Sequence, residues 1–278
     1  MKFTKHFWFG MIALLLMACK TNPFTGKKTI ALVSNNQIFP MAFQQYDKFL
    51  SENKVVTGTT EAQMITRIGQ KIAKASERWL NANGHADYLN GYKWEYNLVK
   101  DETVNAWCMP GGKIVFYTGI LPVAANEAGI AAIMGHEVAH ALANHGQQRM
   151  SAGYVQQAVG VAGSVALSGK SQGSQQLFAT AFGLGSQLGV MLPFSRSHET
   201  EADKIGINLM AIAGYDPAEA SKLWVRMKAH GAKDGKQAPP QLLSTHPSND
   251  TRIANLRKWA PAARAEAKKF GVTSFKVN

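Results

Sequence analysis

His136-Glu137-Val138-Ala139-His140 is the stretch that decides how this chain is read. It lies in a run whose apolar residues Ile130, Met134, Val138, Ala141 and Leu142 recur at helical spacing, behind Asn126 as an N-cap and Glu127 in the first turn. Positions four apart on a helix stand one above the other, so the two imidazoles can take two corners of one tetrahedral zinc. Glu137 is turned by about 100° from His136. It can therefore stand beside a metal, where a base that takes a proton from water belongs. The spacing predicts a helix that runs on to about Met150.

A catalytic zinc needs a third protein ligand. His145 is near in sequence, but the extended metzincin pattern would need glycine and histidine where the chain has Ala143 and Gly146. That class is excluded. The better source is Ser195-Arg196-Ser197-His198-Glu199-Thr200-Glu201-Ala202-Asp203. On a helix Glu199 and Asp203 share a face. One carboxylate can reach the metal while Asp203 accepts the outer N–H of a ligand histidine and fixes its tautomer. Helical geometry alone does not choose between Glu199 and Glu201 as the ligand.

Outward from these segments, a helix is predicted from Thr60, taken as its N-cap with Glu61 and Gln63 behind it, through Ile65, Ile68 and Ile72 toward Trp79. Tyr92 to Lys100 alternates as a strand. Asn105 to Gly112 is expected as a turn and Lys113 to Gly119 as a short strand. Residues 151–195 carry a single charge, Lys170, and are expected as two helices with a polar break around Ser171 to Ser174, packed or apposed to a membrane. Helices are expected from Ser195 to Ile212, from Ala218 to Lys228, and from Ser248 or Asn249 onward, with Pro239-Pro240 in a loop.

The formal net charge is +12 and hydrophobic residues make up 46% of 278, a globular composition with ample core. Lys and Arg are scattered with no basic run or RNA-type aromatic motif, so nucleic acid is not an expected partner. Lys2 and Lys5 precede an apolar run from Phe7 to Met17, then Ala18 and Cys19. This is the pattern of a bacterial lipoprotein signal over residues 1–18, with Cys19 lipidated. Cys108 is then the lone remaining thiol, with no partner for an intrachain disulfide, and it is given no chemistry.

Taken together, several motifs in order resemble the HtpX and CAAX prenyl protease family of gluzincin metallopeptidases, nearest its periplasmic lipoprotein branch (BepA- and LoiP-like). They are His136-Glu137-x-x-His140, His145-Gly146-x-x-Arg149, Ser195-Arg196-x-x-Glu199-x-Glu201-Ala202-Asp203, the stretch Asn105 to Gly119, and Ser244-Thr245-His246-Pro247 with Arg252. The resemblance implies an α+β fold, a mostly helical zincin domain with a small sheet whose edge strand borders the cleft. It implies one zinc per chain on His136, His140 and Glu199, with Glu137 as base, Asp203 behind the ligands, and Glu201 off the metal. It implies that His246 steadies the oxyanion or closes the site as an extra ligand, with Arg252 a candidate for the same charge-stabilising duty. An extended substrate is expected to pair along Lys113 to Thr118, placing Asn105, Gly112 and Ile114 as substrate-binding positions.

The expected organisation is a signal peptide over 1–18, a tether and start of domain over 19–55, and a peptidase domain over 56–278. The expected function is a zinc-dependent endopeptidase acting on unfolded or misassembled envelope and outer-membrane proteins. It would be lipid-anchored at the periplasmic face of the outer membrane of a Gram-negative cell and associated with outer-membrane assembly machinery. The competing expectations are a chaperone-like assembly factor with latched or minor proteolysis, and a prenyl-protein protease.

Overall fold

The structure is a computed structural model that describes residues 19–30, 32–187, 191–233, 241–247 and 249–278. The expected signal segment 1–18, the Pro239-Pro240 loop and Ser248 lie outside the described residues. In chain order the elements are β1 (Cys19–Thr21), β2 (Lys28–Ile30), α1 (Asn35–Glu52), β3 (Val55–Val56), α2 (Thr60–Ala82), β4 (Glu95–Val99), β5 (Ala106–Met109), β6 (Lys113–Tyr117), α3 (Leu121–Ala124), α4 (Glu127–Leu142), α5 (His145–Ala166), α6 (Gln172–Ser186), α7 (Leu192–Ile212), α8 (Ala218–Lys233), α9 (Gln241–Thr245) and α10 (Asp250–Lys269). The fold is mostly helical with a small mixed sheet, as expected.

The described residues form two units, a larger one within 35–143 and 200–278 and a smaller one within 19–34 and 144–199. The division falls within α7, between Glu199 and Thr200. In the larger unit, α2 begins one residue earlier than its sequence suggests. Thr59 is the N-cap and its side chain accepts from the Ala62 N–H, so Gln63 lies too far along to complete a reciprocal box. Ile65, Ile68 and Ile72 are fully buried on the face that packs against α4. The segment Asn35–Glu52, within the stretch expected as tether and start of domain, is a helix of this unit. It buries Ile38, Phe39, Ala42 and Tyr46, which lack the polar partner signals that make a helix start obvious.

The four strands lie in the order β3-β4-β6-β5. β4 and β6 run parallel, whereas β3–β4 and β5–β6 are antiparallel. This corrects the expectation that Lys113 to Thr118 forms the sheet edge. β6 is interior, its backbone bonded on both sides, and its Ile114, Val115 and Phe116 are fully buried. Asn105 to Gly112 is not a simple turn either: Ala106–Met109 is β5, the edge strand, and the turn is Pro110-Gly111-Gly112. Both glycines have positive φ (84° and 90°). A Cβ on Gly112 would stand 2.6 Å from the Trp94 ring, so this turn admits no side chain there.

Asn126 caps α4, its side chain accepting from the Gly129 N–H. The helix ends at Leu142 instead of continuing to Met150. Asn144 takes a left-handed conformation (φ 56°), which asparagine tolerates because its short amide can bond locally, and the chain turns out of the helix there. α4 meets the later part of α7 at a close crossing. A Cβ on Gly135 would lie 2.7 Å from the Gly206 carbonyl oxygen, and one on Gly206 would lie 2.8 Å from the His136 backbone nitrogen. Two glycines facing each other let the helix backbones touch and set the ligand helix against the acidic one.

In the smaller unit, β1 and β2 form a hairpin whose turn is closed by the Asn22 side chain accepting from the Phe24 N–H. β2 packs against α5, and α5 packs against α6. The expected polar break is present: Ser171 caps α6 by accepting from the Ser174 N–H. His145 and His198 stack with ring centroids 4.0 Å apart, and His198 bonds the Gln148 side chain at 3.1 Å. Burial, then the Arg149 charge, lowers the His198 pKa to about 4, so His198 stays neutral at ordinary pH.

Candidate metal centre

The ligand atoms of His136, His140, Glu199 and His246 all lie within 4.8 Å of one another. His136 and His140 come from successive turns of α4, as their spacing dictates. His246 follows α9, whose Leu242 N–H donates to the Val104 carbonyl just before β5. Nε2 of His136 is 3.1 Å from Nε2 of His140 and 3.1 Å from Nδ1 of His246. Ligands about 2.0–2.1 Å from a tetrahedral zinc stand about 3.3 Å apart, so the nitrogen spacing fits this ion.

The donor chemistry agrees. Nδ1 of His136 stands 2.9 Å from Asp203 Oδ1. Its proton is donated to that carboxylate, which leaves a lone pair on Nε2, the atom aimed at the other two rings. With His140 and His246 in tautomers that leave lone pairs on their facing nitrogens, one cation satisfies all three rings. Glu199 supplies the carboxylate of the group. Glu201, though buried, is not part of it.

Glu137 is 4% exposed, and its Oε1 is 3.7 Å from Nε2 of His246. It stands beside the cluster and outside the ligand set. Burial works to raise the Asp203 carboxyl. The Arg252 guanidinium beside it and the hydrogen bond from His136 outweigh burial and hold it below its usual range.

Arg252 stands directly behind the ligand histidine His136. Its Nη2 donates to Asp203 Oδ1 at 2.7 Å and lies 3.2 Å from both His136 ring nitrogens, and its guanidinium stacks 3.4 Å from the Trp224 ring centroid. The charge is spent on Asp203 and sealed under Trp224, on the side of His136 that holds Asp203. It therefore props the carboxylate that orients His136, with its side chain 5% exposed.

The three expected substrate positions make these contacts within the fold. Asn105 accepts the Tyr117 N–H on its carbonyl, Gly112 accepts the Glu95 N–H, and Ile114 is fully buried with its carbonyl bonded by the Tyr46 hydroxyl. All three are used inside the sheet. The edge strand is β5, which packs against α4. Burial, with Glu137 adding to it, pushes the Cys108 thiol on β5 well above its ordinary range, so no reactive thiolate forms there. Sequence reasoning missed Trp224 and the Gly135–Gly206 crossing. Neither has a motif of its own, and only the packing of α4 against α7 and α8 gives them a role.

The sequence signature of Peptidase family M48 matches residues 61–260. The chain belongs to that family. Mitochondrial metalloendopeptidase OMA1 of Schizosaccharomyces pombe is 36% identical over 195 residues, covering 70% of this chain and 54% of that protein. Mitochondrial metalloendopeptidase OMA1 of Saccharomyces cerevisiae is 37% identical over 209 residues, covering 72% and 56%. Beta-barrel assembly-enhancing protease of Escherichia coli is 29% identical over 176 residues, covering 62% and 35%. This M48 chain thus spans about half the length of the mitochondrial relatives it matches. Their names overturn one expectation. An outer-membrane, periplasmic-face location does not stand, since the higher identity is to mitochondrial proteases rather than to the bacterial one.

Proposed function

We propose that this M48 chain is a zinc-dependent endopeptidase that cuts extended segments of unfolded or misassembled membrane proteins. The observation that carries the reading is the convergence of three ring nitrogens and the Glu199 carboxylate beside an off-metal carboxylate, Glu137. When bound by His136, His140 and Glu199, zinc supplies Lewis-acid polarisation of the scissile carbonyl and lowers the pKa of water. Glu137 takes the proton of the attacking water on its carboxylate and delivers it to the departing amine nitrogen. Asp203, held by Arg252, keeps the His136 proton on Nδ1 throughout. An extended substrate adds along the outer edge of β5, one strand over from the position that sequence alone suggests. A lipid on Cys19 and a place in the HtpX and CAAX-like branch with a lipoprotein leader belong to the same proposal.

A second reading has its own observation. Nδ1 of His246 lies inside the ligand group, and four protein ligands leave a tetrahedral zinc no open corner. In this latched form the chain holds unfolded polypeptide and cuts it little. Turnover of an unfolded polypeptide such as reduced casein tests both readings, with a chelator-treated sample as the blank. If His246 latches the site, His246→Ala raises turnover. A fall of about 10²-fold instead assigns His246 to oxyanion stabilisation. Turnover that survives the chelator overturns the metallopeptidase reading itself.

A further inference from the structure

The hairpin α5–α6 of the smaller unit is unusual in what it shows to solvent. Its two helices are sealed to each other: the Phe178 and Phe182 rings stack at 5.5 Å and seat against Gly163 and Gly160, where a Cβ would lie 2.1 Å and 3.2 Å from them. Gln156 bonds the Ser186 hydroxyl at 2.7 Å across the pair. With that seam closed, Val161, Val165, Leu177 and Leu184 point outward, 58%, 67%, 71% and 61% exposed. Val161 and Val165 are four apart on α5 and Leu177 and Leu184 seven apart on α6, so each helix presents an exposed apolar stripe.

We propose that this hairpin lies in the surface of a phospholipid bilayer, with these four side chains among the acyl chains. Charge favours a lipid over a protein partner. No Asp or Glu occurs between Glu137 and Glu199, while Arg149 lies in α5, Lys170 lies between α5 and α6, and the chain carries +12, which suits anionic headgroups. Position favours it too. β1 begins at Cys19 and pairs with β2, which packs against α5, so the proposed lipid on Cys19 is carried by this same unit. A cavity of about 470 Å³ in the unit is lined by Val155, Val159, Phe182 and Met191, with Lys28 among its polar groups, and an acyl tail fits such a lining. Among the described residues no single helix is long and apolar enough to cross a membrane, and Gln156, Gln157, Gln175 and Gln176 interrupt both helices. The hairpin therefore lies along the surface and does not span it, with Lys170 reaching back to the headgroups.

Hydrogen exchange of the full chain, with and without vesicles of phosphatidylcholine and phosphatidylglycerol, tests this. Amides of residues 154–186 are expected to slow by about tenfold with vesicles, while α2 and α10 stay unchanged. The triple variant Val161→Glu, Leu177→Glu, Leu184→Glu is expected to lose that protection while melting at the wild-type temperature without lipid, since all three positions are exposed. Exchange of 154–186 that vesicles leave unaltered overturns the proposal, as does protection confined to the segment around Cys19. Protection that appears without lipid on raising the protein concentration also overturns it, by making a second copy the occupant.

Discussion

Glu137→Gln is expected to cut turnover of unfolded polypeptide by about 10³-fold while leaving metal content at the wild-type level. The two halves of that result come from the same geometry. Glu137 is one residue past His136 on α4, so helical rotation carries it off the ligand set, and its Oε1 stands 3.7 Å from His246. Glutamine keeps the shape of the buried side chain but cannot take a proton, so binding survives and proton transfer does not. Turnover measured beside metal analysis on the same preparation checks this. Activity equal to wild type would remove Glu137 from the chemistry; loss of metal with activity would make it a ligand.

The second large effect is expected from a residue with no polar atom in its side chain. Gly206→Ala places a methyl carbon 2.8 Å from the His136 backbone nitrogen and 2.8 Å from the Gly135 carbonyl carbon. Backbone on both sides cannot swing aside as a flexible side chain does, so α4 and α7 must separate. Overpacking of this kind costs about 1–3 kcal/mol. The displacement also draws Asp203, one turn before Gly206 on α7, away from the His136 Nδ1 that it meets at 2.9 Å. Lower thermal stability and weaker metal retention are expected together, the latter by about 10- to 100-fold, as for loss of an outer partner of a ligand histidine. Thermal melting with and without added zinc checks both; an unchanged melt with full metal retention would show that the crossing has slack.

The metal site was legible in the sequence to the extent that it depends on helical period. His136, His140 and Glu137 take their places because residues four apart align and adjacent ones do not. The alignment of Glu199 with Asp203 follows from the same rule on α7. What the period could not supply was the choice of Glu199 over Glu201, which came from family resemblance and matches the carboxylate found in the cluster. Three features needed tertiary contacts. Arg252 has the same charge whether it faces a substrate or a buried carboxylate, and only the packing of Trp224 over it decides. The interior position of β6 depends on β5, whose Trp107 and Cys108 stand beside a Pro-Gly-Gly turn that dominates any local reading. The helix break at Asn144 hides because asparagine in a left-handed conformation leaves no pattern in the flanking residues.

The proposed chemistry requires zinc held by α4 and by Glu199, the first glutamate of the acidic pair on α7. Metal analysis of purified wild type, Glu199→Ala and Glu201→Ala tests that most directly. One zinc per chain is expected in wild type and in Glu201→Ala, with none retained by Glu199→Ala after dialysis. Zinc kept by Glu199→Ala and lost from Glu201→Ala, or no stoichiometric metal in wild type, would contradict it.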